Sequence, residues 1–178
     1  KVDTFKNMTE LEKTTISNRS TKLFTLSGIY QATLSLLRKS QYSKKITKQE
    51  EEISIEFWNS VCDSMRDWKL AAEKKVSTHE LRRDYIHAHA LALHAIGRLG
   101  ADLLSIGHKD FKIVLKKLSK IDWSRSNSAL WEGRAMIGGK ISKSNTCVIL
   151  TTNHLKKVFG LELTPEEKKV EKAYLKNL

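Results

Sequence analysis

Little in this chain of 178 residues can bend or cross-link a backbone: there are one proline, Pro165, two cysteines, Cys62 and Cys147, and eight glycines. Two thiols so far apart match no metal-ligand spacing and no disulfide framework, so reduced cysteines are expected, as in the cytoplasm. A charge-free apolar run near the ~18 residues of a membrane span is also missing. The nearest candidate, 81–106, carries Arg82, Arg83, Asp84, Arg98, Asp102 and three histidines. Asn7-Met8-Thr9 and Asn18-Arg19-Ser20 fit a glycosylation pattern, but no secretory signal accompanies them and they read as chance. Acid is scarce as well. Asp plus Glu number 20 against 32 Lys plus Arg, a formal charge of +12, which attracts polyanions when it is not simply a solubilising surface.

What is present is helical periodicity. Ser77-Thr78-His79-Glu80 has the form of a capping box and Gly107 suits a left-handed stop, so one long central helix is predicted over about 78–106. Leu81, Tyr85, Ala88, Ala92, Ala95, Leu99 and Leu103 fall on one face of it, and Ile86, Ala90, Leu93 and Leu104 cover the far side. Asp84, His87, His94, Arg98 and Asp102 form a narrow polar seam between them. The other helices are expected to pack around this cylinder.

Before it, a helical turn near Glu10–Lys13 is expected, then an amphipathic helix over 21–39 capped by Ser20, and a basic linker containing Arg38, Lys39, Lys44 and Lys45. Thr47-Lys48-Gln49-Glu50 is a second capping box, opening a helix that either continues through 67–76 or restarts after Arg66-Asp67. After Gly107 a short helix with lysines at 112, 116, 117 and 120 on its solvent side is predicted. Asn127 or Ser126 caps a helix through Trp131 to Met136, which Gly138-Gly139 breaks. Residues 146–150 read as a short strand or a buried turn of helix, and Thr151 or Thr152 caps a short helix ending at Gly160. Thr164-Pro165-Glu166-Glu167 starts a last helix running to about Asn177. The whole is an all-α single domain, with a possible subdivision into a helical core, 1–120, and a basic helix-loop-helix region, 121–178.

Several long segments carry a resemblance: 13–27 (KTTISNRSTKLFTLS), 80–89 (ELRRDYIHAH), 121–127 (IDWSRSN), 130–139 (LWEGRAMIGG) and 151–167. Together, from about Leu11 to Glu167, they resemble DndB, the DNA phosphorothioation (sulfur modification) regulators of the DGQHR-domain family. The Asp-Gly-Gln-His-Arg signature itself is absent, so the chain is expected to correspond to the C-terminal portion of such a protein. The resemblance implies a bacterial, DNA-binding transcriptional repressor that acts on the promoter of its own operon, with a homodimer compatible. It implies alternatively a scaffold or dimerisation domain, with DNA recognition in an N-terminal DGQHR part.

The residue types agree with a DNA partner. Phosphate contacts come mainly from Arg and Lys with help from amides and hydroxyls, and Arg125, Asn127, Arg134, Lys140, Lys143, Asn153, Lys156 and Lys157 concentrate such groups. Two short helices across the Gly- and Lys-rich connection suggest a helix-turn-helix variant whose second helix, from Thr152, enters the major groove. Arg19, Arg82 and Arg83 form a second basic group, for which an internal salt bridge is the competing reading. Trp123 and Trp131 read as core anchors rather than base platforms. No enzyme chemistry, cofactor or metal is called for: His87 and His94 have no third ligand at metal spacing, and neither cysteine has a specified base.

Overall fold

A chain almost free of proline and rich in 3.6-residue periodicity buries itself as packed helices, and the computed structural model shows them. It describes residues 1–17, 19–42, 45–108 and 110–176; Asn18, Lys44 and Asn177, named above, lie outside the described residues. Helix α1 (Asp3–Met8) leads into strand β1 (Thr9–Glu10), which pairs in parallel with β2 (Phe24–Thr25). Helices α2 (Leu26–Leu36), α3 (Lys48–Ser64), α4 (Arg66–Ala72), α5 (Thr78–Asp84) and α6 (Ala90–Ser105) follow. Helix α7 (Phe111–Val114) tightens into a 3₁₀ segment, Leu115–Lys120, and α8 (Ser128–Trp131) precedes a hairpin of β3 (Met136–Ile137) and β4 (Lys140–Ile141). Helices α9 (Asn145–Phe159) and α10 (Pro165–Leu175) complete an all-α architecture.

Helix α6 is the centre. Ten of its 16 residues are buried, and α2 and α9 pack directly against it. The register against α2 is set by small residues: a Cβ on Gly97 would lie 2.3 Å from the Ala32 carbonyl oxygen, and one on Gly100 would meet the Phe57 ring and the Leu36 side chain. At the other end Gly28 faces Ala90. Positions 28, 32 and 36 thus meet 90, 97 and 100 in the same order, so α2 and α6 run parallel and begin at the same end of the molecule. One hydrophobic cluster extends from Phe5 to Phe159, with Trp68 and Trp131 wholly buried within it. Trp123 stacks on Trp131 with ring centroids 5.6 Å apart, and both indole N–H groups donate to backbone carbonyls, of Leu118 and Asp122. Both tryptophans are core anchors.

The capping boxes at Thr47–Glu50 and Thr164–Glu167 form with both reciprocal bonds. Ser77 accepts from the Glu80 N–H, and Gly107 takes φ +80° after α6. The predicted central helix is nevertheless not continuous. It stops at Tyr85 (φ −131°, ψ 141°), makes one 3₁₀ turn over Ile86–Ala88, and restarts after an extended His89. The cause is tertiary: the Ile86 N–H donates to the Trp123 carbonyl, and the Arg125 N–H donates to the Asp84 carbonyl. The 84–86 backbone is therefore used in a ladder with 123–125. The seam broken with it ends in separate places. His87 is buried and accepts from the Trp68 indole at 3.1 Å, beside the Asp67 carboxylate at 3.2 Å, while Arg98 reaches Asn145.

Other expectations shift for similar reasons. The second helix begins at Leu26 under a Thr25 cap, not at Thr21 under Ser20, because Phe24 and Thr25 pair with β1. The first helix precedes Glu10, and Glu10 is extended. Helix α3 ends before Met65 and α4 restarts at Arg66. The helix from Ser128 stops at Trp131, since Met136–Ile137 and Lys140–Ile141 form a two-residue hairpin around Gly138 and Gly139, both at positive φ. Residues 146–150 are helical. Ser144 caps one 15-residue helix, and Thr151 and Thr152 lie buried inside it, Thr152 donating back to the Val148 carbonyl. Helix α9 packs against α6 and α10 with nine of its 15 residues buried, an arrangement that does not suit the recognition helix of a helix-turn-helix.

Candidate nucleic-acid interface

The break at Tyr85 and His89 creates a cleft. The end of α5, the start of α6, the N-terminal loop before β2, and the Arg125 and Lys143 loops converge on a recess of about 460 Å³. Its basic lining is His79, Arg82, Arg83, His89, Arg125 and Lys143, and among the described lining residues none is an Asp or Glu.

Arg82 and Arg125 are positioned by backbone carbonyls. The last carbonyls of a helix lack partners and carry the negative end of its dipole, which suits a guanidinium. Arg125 meets this need at the end of α5, donating to the Arg83 carbonyl at 2.9 Å and the Arg82 carbonyl at 3.3 Å. Its other amino group donates to the Gly139 carbonyl at 2.7 Å, which brings the hairpin tip, and Lys140 beside it, against α5. Arg82 donates to the carbonyls of Lys22, Ser17 and Ser20, tying down the loop that carries exposed Arg19. The carbonyls orient the Arg125 guanidinium without neutralising it. Arg83 differs, because Asp84 takes two bonds from it at 2.8 Å.

His89 reports the resulting field. Its Nε2–H donates to the Arg82 carbonyl at 2.8 Å, yet burial, followed by the charges of Arg125, Lys143 and Arg82, pushes its pKa down to about 4. His154 is likewise pushed to about 4, by burial and then by Arg134 and Lys157. Unfolded histidine titrates near 6.5, so between pH 6.5 and about 4 the unfolded chain binds more protons than the folded one. Stability from these two residues is complete above pH 6.5 and is lost as pH falls toward 4. We expect the urea midpoint to drop across that interval and the drop to shrink in His89→Gln; an unchanged profile in that variant would remove His89 from the account.

The structure gathers Arg82, Arg83, Arg125 and Lys143 at the cleft, with Arg19 and Lys140 on segments tied to it, and engages the remaining candidates in internal bonds. Arg134, only 6% exposed, donates to Glu171 and to the Leu150 carbonyl, with its guanidinium 4.6 Å from the Tyr174 ring. Asn153 is fully buried and donates to Glu171 and the Glu167 carbonyl. Lys156, 2% exposed, bridges Asp102 at 2.9 Å and Glu167 at 2.6 Å; burial opposes its charge, but those hydrogen bonds prevail and its pKa is raised. Lys157 pairs with Glu171 at 2.5 Å, and Asn127 caps α8 while its amide holds Asp122. These five are structural ties. Burial penalises the Glu171 carboxylate, and bonds from Arg134, Lys157 and Asn153 more than offset it, holding its pKa down at about 2.

Sequence reading missed His79, His89 and the threonines of the cleft. A signal was available, since the segments 13–27, 80–89 and 121–127 that carried the resemblance are the ones that meet here. Among the described residues no three His, Cys, Asp or Glu side chains could hold a metal, and no helix is long and apolar enough to cross a membrane. No curated protein and no solved structure matches the chain. A family model does match, over residues 1–162 of the 178, and it is that of DndB, DNA-sulfur modification-associated: the chain belongs to the DndB family.

Proposed function

We propose that this chain is a DNA-binding regulator within a DNA sulfur modification system, a repressor acting at the promoter of its own operon and not a catalyst. The observation that supports the DNA contact is the gathering of Arg83, Arg125 and Lys143 at one cleft whose described lining has no Asp or Glu, with Arg19 and Lys140 on segments that Arg82 and Arg125 tie to it through backbone carbonyls. Such a face holds phosphates and sets affinity; it specifies sequence only through what a dimer or a further reading element adds.

Affinity of the chain for its promoter and for an unrelated duplex, at several salt concentrations, tests this. The informative variant is Arg83→Gln with Lys140→Gln and Lys143→Gln, all three exposed, rather than any set that includes the buried Arg134. We expect the slope of log K against log salt to flatten by about 2 to 3 units, since each lost phosphate contact removes about 0.9. An unchanged slope in the folded variant would refute the assigned face.

A second reading, a scaffold or dimerisation domain, is favoured by exposed Leu11, Leu26 and Tyr30, which flank one shallow depression beside α2. Sedimentation across a concentration series separates the two, because only this reading requires self-association.

A further inference from the structure

On the DNA reading above, a duplex backbone would run across the rim of the basic face and leave its interior unfilled. The recess behind that rim, about 460 Å³, has the size of a small-molecule site. Its lining combines the almost fully buried Leu23, Phe24 and Ala88 with Thr14, Thr15 and Thr25. Cations and hydroxyls together with apolar groups suit a phosphoryl group joined to a less polar body.

The cations are also preorganised. Arg125 is fixed by three bonds to carbonyls on two different elements, and Arg82 is fixed by carbonyls of the N-terminal loop. Neither side chain needs to be ordered when an anion arrives, which removes one of the main costs of binding. Helices α2 and α6 both start at this cleft, where Thr25 and Ala90 line it, and the opening turn of α6 has no side-chain cap. Their positive ends add to the field without being its source.

We propose that the cleft binds a small phosphorylated anion, a metabolite bearing a phosphate or diphosphate, and that its occupancy opposes DNA binding because Arg125 and Lys143 serve both the interior and the rim. The regulatory half rests on the DNA reading above; the site itself does not. Lys140, which belongs to the rim and not to the lining, distinguishes the two surfaces.

The test is calorimetric titration of the chain with pyrophosphate and with a nucleoside diphosphate, at ionic strength held constant with chloride, and without DNA. One saturable site is expected, weakened about tenfold by Lys143→Gln, as the loss of one charge-assisted hydrogen bond implies, and unchanged by Lys140→Gln. Saturating pyrophosphate is further expected to lower DNA affinity beyond a chloride control of equal ionic strength. No saturable heat, or equal affinity in Lys143→Gln and the parent chain, overturns the site. Saturable binding with no effect on DNA affinity overturns the competition and leaves the site standing. Anion binding by a chain that binds no DNA under any salt condition would instead overturn the DNA reading.

Discussion

Replacing Gly97 by alanine is expected to destabilise the protein by about 2–4 kcal/mol, although alanine is the better helix former by about 1 kcal/mol. The added Cβ would sit 2.3 Å from the Ala32 carbonyl oxygen, well inside van der Waals contact, and the obstacle is backbone, which cannot rotate away. Helices α2 and α6 would have to separate along the whole parallel contact, and with them the two helix starts that frame the basic cleft. Gly100→Ala is expected to cost less, because the groups it meets are the Phe57 ring and the Leu36 side chain, which can shift. Thermal melting followed by circular dichroism checks this. A loss near 3 kcal/mol lowers the melting temperature of a domain this size by about 6–12 °C. If Gly97→Ala melted at or above the parent temperature, the parallel register of α2 on α6 would be wrong.

Truncating Glu171 to alanine should cost about 3–5 kcal/mol, the usual result of leaving one partner of a buried ion pair uncompensated. Arg134 is 6% exposed and Glu171 is 4% exposed, and the same carboxylate also receives Asn153 and Lys157. One substitution therefore takes an acceptor from three donors, two of which, Arg134 and Asn153, are buried. The double variant Arg134→Met with Glu171→Leu should be less destabilised than the sum of its parts, since no buried charge remains unpaired. Acid gives an independent readout. With the Glu171 pKa depressed from 4.5 to about 2, its contribution is full above pH 4.5 and disappears as pH falls toward 2, and Glu171→Gln should remove that portion of the acid transition. Additive single and double variants would show that the two side chains do not act as a pair. DNA binding adds a contrast: folded Arg134 variants should retain the salt slope that the Arg83, Lys140 and Lys143 variant loses.

The contrast between Arg134 and Lys143 shows where sequence reading stops. Both are cations in one loop-rich stretch, and side-chain type alone assigns both to a phosphate face. What separates them is a glutamate 37 positions after Arg134, on α10, that meets it inside the protein. No local pattern encodes such a meeting. Arg125 was legible as a cation but not as the clamp on α5, because its acceptors are carbonyls 42 and 43 positions earlier. The Gly138–Gly139 hairpin was readable in principle, as a glycine pair between Met-Ile and Lys-Ile, and a helix-breaking reading overrode it.

By itself the sequence determined the features that depend on neighbours three or four residues away: the all-α class, the caps at Thr47, Ser77 and Thr164, the stop at Gly107, and the apolar identity of 81–105. These follow from helical hydrogen bonding and periodicity, which are local. Only the tertiary structure decided the break in the central helix, since the Trp123 carbonyl competes for the backbone N–H of Ile86. It also decided which cations are buried ties and which are gathered at the cleft, because desolvation and pairing depend on partners that meet through folding and not through sequence distance.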